Sequence, residues 1–185
     1  MKFTLSIIFM SIIFSEEKYK EPSYQLLEKI NNIEIRQYKE YIVAKTSMPN
    51  NVHASDNLMF RTLASYIFGK NAKQEKIPMT TPVSTYVSND QYNMLFYMLN
   101  YKEINNLPKT SDQNIIFEKI NLDKCAVIIF SWYTSKDKIN KYKNILTDFI
   151  KKHGYTTKGP FFLNRYNDPW TLPFLRRNEI LIKIN

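Results

Sequence analysis

The stretch "IEIRQYKEYIVAKTSM", residues 33–48, alternates apolar and polar positions around a short polar break, the period of paired, half-buried β-strands. The period then changes. Met59, Leu63 and Ile67 fall at i, i+4 and i+8 with Phe60 beside them, Ser55 or Asp56 can cap the start and Gly69 supplies a stop, so the spacing predicts a helix. "TPVSTYV" and "YNMLFYML" return to strand character, joined by Asn89 and Asp90, a turn-forming pair.

The second half repeats that order. "NIIFEKI" and "KCAVIIFSWY" read as strands flanking residues 121–123. Ser135 can cap a helix that carries Ile139, Tyr142, Leu146, Phe149 and Ile150 on one face, with Lys151, Lys152 and His153 favouring its C-terminal dipole and Gly154 ending it. "PFFLNRY" and "NEILIKI" complete the half. Two runs of strands, helix, strands predict an α+β domain with internal pseudo-symmetry, a curved sheet or distorted β-barrel flanked by two helices. The interface between such halves is a natural place for a ligand groove.

Composition narrows this picture little. A chain of 185 residues, 44% hydrophobic, has material for one real core, and no Gly/Ser linker or like-charge run divides it. The formal charge of +9 raises nucleic acid as a partner, but the basic residues are mostly dispersed lysines and no recognition signature accompanies them, so the expectation is no nucleic acid. A small anionic ligand or a solvated surface accounts for the charge. Cys125, alone in the run "CAVIIF", reads as a buried structural thiol. The first fifteen residues join a basic start to an apolar stretch from Phe3 to Phe14, the pattern of a secretory signal peptide cut after Ser15. Cleavage leaves residues 16–185 as a single domain with no stable membrane span, in the secretory pathway or an extracellular or vacuolar space. An uncleaved segment leaves the protein membrane-anchored or cytoplasmic.

Candidate chemistry is sparse. Two histidines and one buried-looking cysteine support no nucleophile, base and orienter, and no cluster has metal-ligand spacing. His53 reads as a loop residue, with metal or haem-iron ligation as the alternative, and His153 as a helix-end cap. Met59, Phe60, Leu63 and Ile67 on one helix face read as ordinary core, and a flat apolar ligand would want the same surface.

Four elements in order carry a resemblance. "YQLLEKINNIEIRQY", "FRTLASYIFGKNAKQEKIPMTTPVSTY" and "YNDPWTLPFLRRNEILI" contain I-E-x-R-x-Y, Y-I-x-G-x-N, I-x-M-T-x-P-V and a Y-x-x-P segment ending in R-R-N-E. In these the chain resembles the SOUL/haem-binding protein family, from about Pro22 to the C-terminus. The resemblance implies a pseudo-symmetric α+β barrel that binds haem and related tetrapyrroles reversibly in an apolar groove beside the first helix. It carries the ligand-contact face onto Met59, Phe60, Leu63, Ala64 and Ile67. One departure is Gln37, which stands where some members have a proposed iron-binding histidine, so the expected site has no obligate axial ligand. Another is Asn57 and Ser65, uncharged where other members place polar or basic groups for the propionates. Arg176, Arg177, Asn178 and Glu179 match the family's ending, and their expected work is an Arg/Glu/Asn network that secures the last strand, with arginine contact to a ligand carboxylate as the alternative. The leading expectation is a non-enzymatic tetrapyrrole carrier. Its rivals are a small-molecule hydrolase with Glu179 or another groove carboxylate as base, and a protein-interaction module that receives a partner helix in the groove.

Overall fold

The strands and helices expected from the two repeats are all present in the computed structural model, which describes residues 19–50 and 56–185. In chain order they are β1 (Tyr24–Ile30), β2 (Ile33–Tyr38), β3 (Glu40–Pro49), α1 (Asp56–Ile67), β4 (Val83–Ser88), β5 (Gln91–Tyr97), β6 (Ile116–Asn121), β7 (Lys124–Phe130), α2 (Lys136–Lys152), β8 (Thr157–Arg165) and β9 (Asn178–Ile184). The expected targeting segment, residues 1–15, and His53 lie outside the described residues. Among the described residues, no helix is long and apolar enough to cross a membrane.

All nine strands join one antiparallel sheet in the order β1-β2-β7-β9-β8-β4-β5-β3-β6. From β2 onward that order is a palindrome of the two repeats. The block β7-β9-β8 mirrors β3-β5-β4, the halves meet where β4 pairs with β8, and each half lends its first strand to the other: β2 lies on β7, and β6 lies on β3. This corrects the reading of residues 33–48 as strands paired with each other. The alternation identified two strands, but their partners are set by the other repeat.

Helix packing follows the same symmetry. α1 lies over β3 and β5, where Met59, Leu63, Tyr66 and Ile67 meet Ile42, Ala44, Met94 and Phe96, while α2 lies over β7 and β9 through Leu146 and Ile150. Ser135 caps α2 as its spacing predicts, its side chain accepting a hydrogen bond from the Lys138 amide at 3.3 Å. Asn89 and Asp90 both adopt positive φ between β4 and β5, the conformation that lets a tight turn follow the twist of its strands. Gly159, at φ +74°, lies in the irregularity between Lys158 and Phe162 where β8 shifts register against β9.

The opposite sheet face is buried as well. Val43, Leu95 and Tyr97 of the first half share a cluster with Cys125, Val127 and Leu181 of the second, so the sheet folds over a common interior. Among the described residues no ladder joins β6 to β1 or β2, and the expected barrel is observed as an open sheet with those two edges.

Candidate functional site

That shared interior is polar at one end. Arg36 on β2 and Glu179 on β9, both wholly buried, face each other in a two-pronged ion pair of 3.0 and 3.1 Å. Glu34 accepts from Arg36 Nε at 2.8 Å, and the second Arg36 terminal nitrogen also reaches the Tyr38 hydroxyl at 2.9 Å. Around Glu179, Arg177 donates at 2.8 and 3.1 Å and the Tyr166 hydroxyl at 2.7 Å. Arg177 also reaches Glu21 at 2.9 Å and covers the Tyr166 ring at 3.8 Å. Burial by itself would raise the Glu179 carboxyl, but Arg36 and Arg177 outweigh it and hold the group below the usual carboxylate range. Burial and then Glu179 push the Tyr166 hydroxyl well up, which keeps it a neutral donor.

The expected Arg/Glu/Asn network therefore exists, and its members divide. Arg177 and Glu179 belong to the buried cluster, whereas Asn178 donates to the Trp132 carbonyl and Arg176 donates to the carbonyls of Thr171 and Pro169. As a catalytic base Glu179 is corrected: it has no exposed surface, its oxygens are occupied by donors and its proton affinity is lowered.

Tyr166 connects this network to a cavity of about 250 Å³ at the junction of the two halves. The first half supplies Phe60 from α1, Met79, Val83 from β4 and Met94 from β5, and the second supplies Arg165 from β8 and the following residues 166–169. Tyr19 closes one side, held there because the Thr81 amide donates to the Lys20 carbonyl at 3.0 Å and Glu21 pairs with Arg177. At the polar margin Asp56 binds Arg165 at 2.8 Å and accepts from the Tyr92 hydroxyl at 2.7 Å. The Arg165 Nε is buried and has no acceptor among the described residues, a state that polar groups in protein interiors rarely keep without a partner.

The five residues assigned to ligand contact separate here. Phe60, 38% exposed, lines the cavity and meets Phe96 edge-on at 5.3 Å. Met59, Leu63, Ala64 and Ile67 point into the core beneath α1 and are buried. Met79, Met94, Arg165 and Tyr166 were missed because they come from three separate segments, and no local period marks residues that only folding brings together. Gln37 is half-buried and donates to its neighbour's carbonyl at 3.3 Å, away from the cavity lining. Among the described residues no group of His, Cys, Asp and Glu is arranged to hold a metal ion.

The cavity suits part of a tetrapyrrole. Its volume lies just below the roughly 300–1,000 Å³ of drug-sized ligand sites. Its thioethers and rings fit an aromatic face, and the Arg165 guanidinium in its lining, paired with Asp56, is the positive group that a carboxylate edge would meet.

A family model described as SOUL heme-binding protein matches residues 19–183. No curated protein matches the chain. Among solved structures, a conserved protein from Listeria innocua superposes with a TM-score of 0.67 at 7% identity, covering 83% of this chain and 92% of that one. The EcmrR C-terminal domain gives 0.65 at 13% identity, over 88% and 98% of the two chains. A hydrolase from Listeria innocua gives 0.56 at 7% identity, over 86% and 94%. Likeness at such identities shows a shared fold and nothing of chemistry.

Proposed function

Since the chain belongs to the SOUL haem-binding protein family, we propose that it is a reversible tetrapyrrole carrier whose ligand sits at the cavity between α1 and the end of β8. The observation that carries this reading is the cavity's composition: Phe60, Met79, Met94 and Tyr166 form an apolar wall, and Arg165, paired with Asp56, brings a guanidinium into the lining. Phe60 and the methionines would hold the macrocycle by dispersion and apolar burial, and Arg165 would receive a propionate. Haem itself, when bound, supplies redox-active iron.

Magnitudes decide how the ligand lies. A micromolar Kd corresponds to about 8 kcal/mol. At about 25 cal/mol per Å² of apolar surface, before association costs of several kcal/mol, this needs on the order of several hundred Å² of contact. A cavity of about 250 Å³ is too small to enclose such a ligand. The macrocycle therefore inserts one edge and lays its face across Phe60 and the cavity mouth.

Apolar contact then supplies most of the affinity, and haemin and metal-free protoporphyrin should bind within about tenfold of each other, a difference of about 1.4 kcal/mol. Parallel quenching titrations of the two ligands test this. A preference of a hundredfold for the iron form would assign an axial ligand, with His53→Ala the variant to identify it, and failure of both ligands to bind would remove the carrier reading.

A further inference from the structure

The loop from Pro169 to Arg176 is built inside out. Its polar groups bond to one another: the Thr171 N–H donates to the Asp168 carbonyl, the Leu175 N–H to the Leu172 carbonyl, and the Arg176 guanidinium to the carbonyls of Thr171 and Pro169. Its apolar side chains face outward, with Trp170 91% exposed and Leu172, Phe174 and Leu175 each more than half exposed. Trp132 and Tyr133, also more than half exposed, stand beside them, because the Trp132 amide donates to the Pro173 carbonyl at 2.8 Å and the Arg176 guanidinium lies 4.8 Å from the Tyr133 ring. Trp132 holds φ at +79°, a left-handed conformation that is costly for a bulky side chain, and its carbonyl is fixed by Asn178 at 2.8 Å. The fold thus spends backbone strain and a dedicated hydrogen-bond set on presenting six large apolar side chains to water.

We propose that this patch is a docking surface for a lipid bilayer bearing anionic headgroups. Several features select a bilayer. Trp170 projects almost completely, and a projecting apolar knob fits a fluid interface that needs no preformed complementary shape. Tryptophan and tyrosine favour the depth where hydrocarbon meets headgroups. The rim carries Lys136, Lys138 and Arg176 against Asp137 and Asp168, three cations to two carboxylates, with Lys138 5.6 Å from the Trp132 ring. Those cations and the N-terminal end of α2 complement phosphate and carboxylate headgroups. Docking does not depend on the tetrapyrrole reading. If both hold, residues 167–169, which line the cavity and lead into the loop, keep its mouth near the surface where a sparingly soluble ligand partitions.

The molecule provides its own reporter, since its two tryptophans, Trp132 and Trp170, both lie in the patch. Titrating the full chain with phosphatidylcholine vesicles containing phosphatidylserine should shift tryptophan emission to the blue, and lipids brominated along the acyl chain should quench it. Partitioning should weaken at least tenfold in Leu175→Asp and in Phe174→Asp, and about threefold or more on vesicles of phosphatidylcholine alone, with the far-ultraviolet circular dichroism of each variant unchanged. The segment before Tyr19 is common to all variants, so these differences report the patch. Unshifted, unquenched emission on vesicles overturns the proposal, whether or not the chain sediments with them. So does undiminished partitioning of both folded variants, and equal binding to vesicles without phosphatidylserine overturns the headgroup assignment.

Discussion

Glu179 is wholly buried between two arginines and a tyrosine, so its stability contribution depends on its charge. Glu179→Gln leaves Arg36 without its main counter-charge and should cost about 3–5 kcal/mol, measured by denaturant unfolding at neutral pH. The pH dependence follows from the lowered proton affinity of the folded carboxyl. That contribution is fully present above the unfolded carboxyl's value of about 4.3 and is lost as pH falls toward the lower folded value, because acid then protonates the unfolded chain first. Glu34, also lowered, adds in the same direction. Wild type should therefore lose stability steeply below about pH 4.5, and the Glu179→Gln curve should fall less steeply over that window; parallel curves would detach the network from acid stability. Cys125 offers a second check. Burial pushes its thiol up to about 12, and it donates to the Leu122 carbonyl at 3.0 Å, so thiol reagents at pH 8 should modify it only as fast as the protein opens. The single cysteine in an apolar run made that burial legible in the sequence. The partners of Arg36 were not legible, because "EIR" on β2 alternates as if Glu34 and Arg36 faced water, and only the folded sheet brings Glu179 to them.

Elements were easier to read than their partners. Helix α2 could be bounded at both ends because Ser135 and Gly154 have local physical roles, as N-cap and as a positive-φ stop. Ser135→Ala should lower stability by about 1 kcal/mol, seen as a reduced thermal midpoint with unchanged tetrapyrrole affinity. Strand β1 carried no signal. It lies at the sheet edge with Leu26, Leu27 and Ile30 exposed, so no alternation of buried and open faces marks it. Helix α1 shows the limit of periodicity most clearly. The i, i+4, i+8 spacing that found Met59, Leu63 and Ile67 identifies the face buried against β3 and β5, while the cavity takes Phe60 from the margin of that face.

At the scale of the whole molecule, the palindromic strand order puts the cavity where the two repeats meet, and the repeated plan in the sequence pointed to that junction without naming its lining. The proposed carrier holds its tetrapyrrole there by apolar contact, with α1 contributing through Phe60. The most direct test measures the Kd of metal-free protoporphyrin and the apo thermal midpoint on wild type, Phe60→Ala and Leu63→Ala. Phe60→Ala should lose roughly 1–3 kcal/mol of affinity while costing less stability than the ~3–5 kcal/mol of a fully buried phenylalanine. Leu63→Ala should lose about 2–5 kcal/mol of stability and keep near-native affinity in its folded fraction. Unchanged affinity in Phe60→Ala, with binding lost in folded Leu63→Ala, would contradict the account and move the ligand beneath the helix.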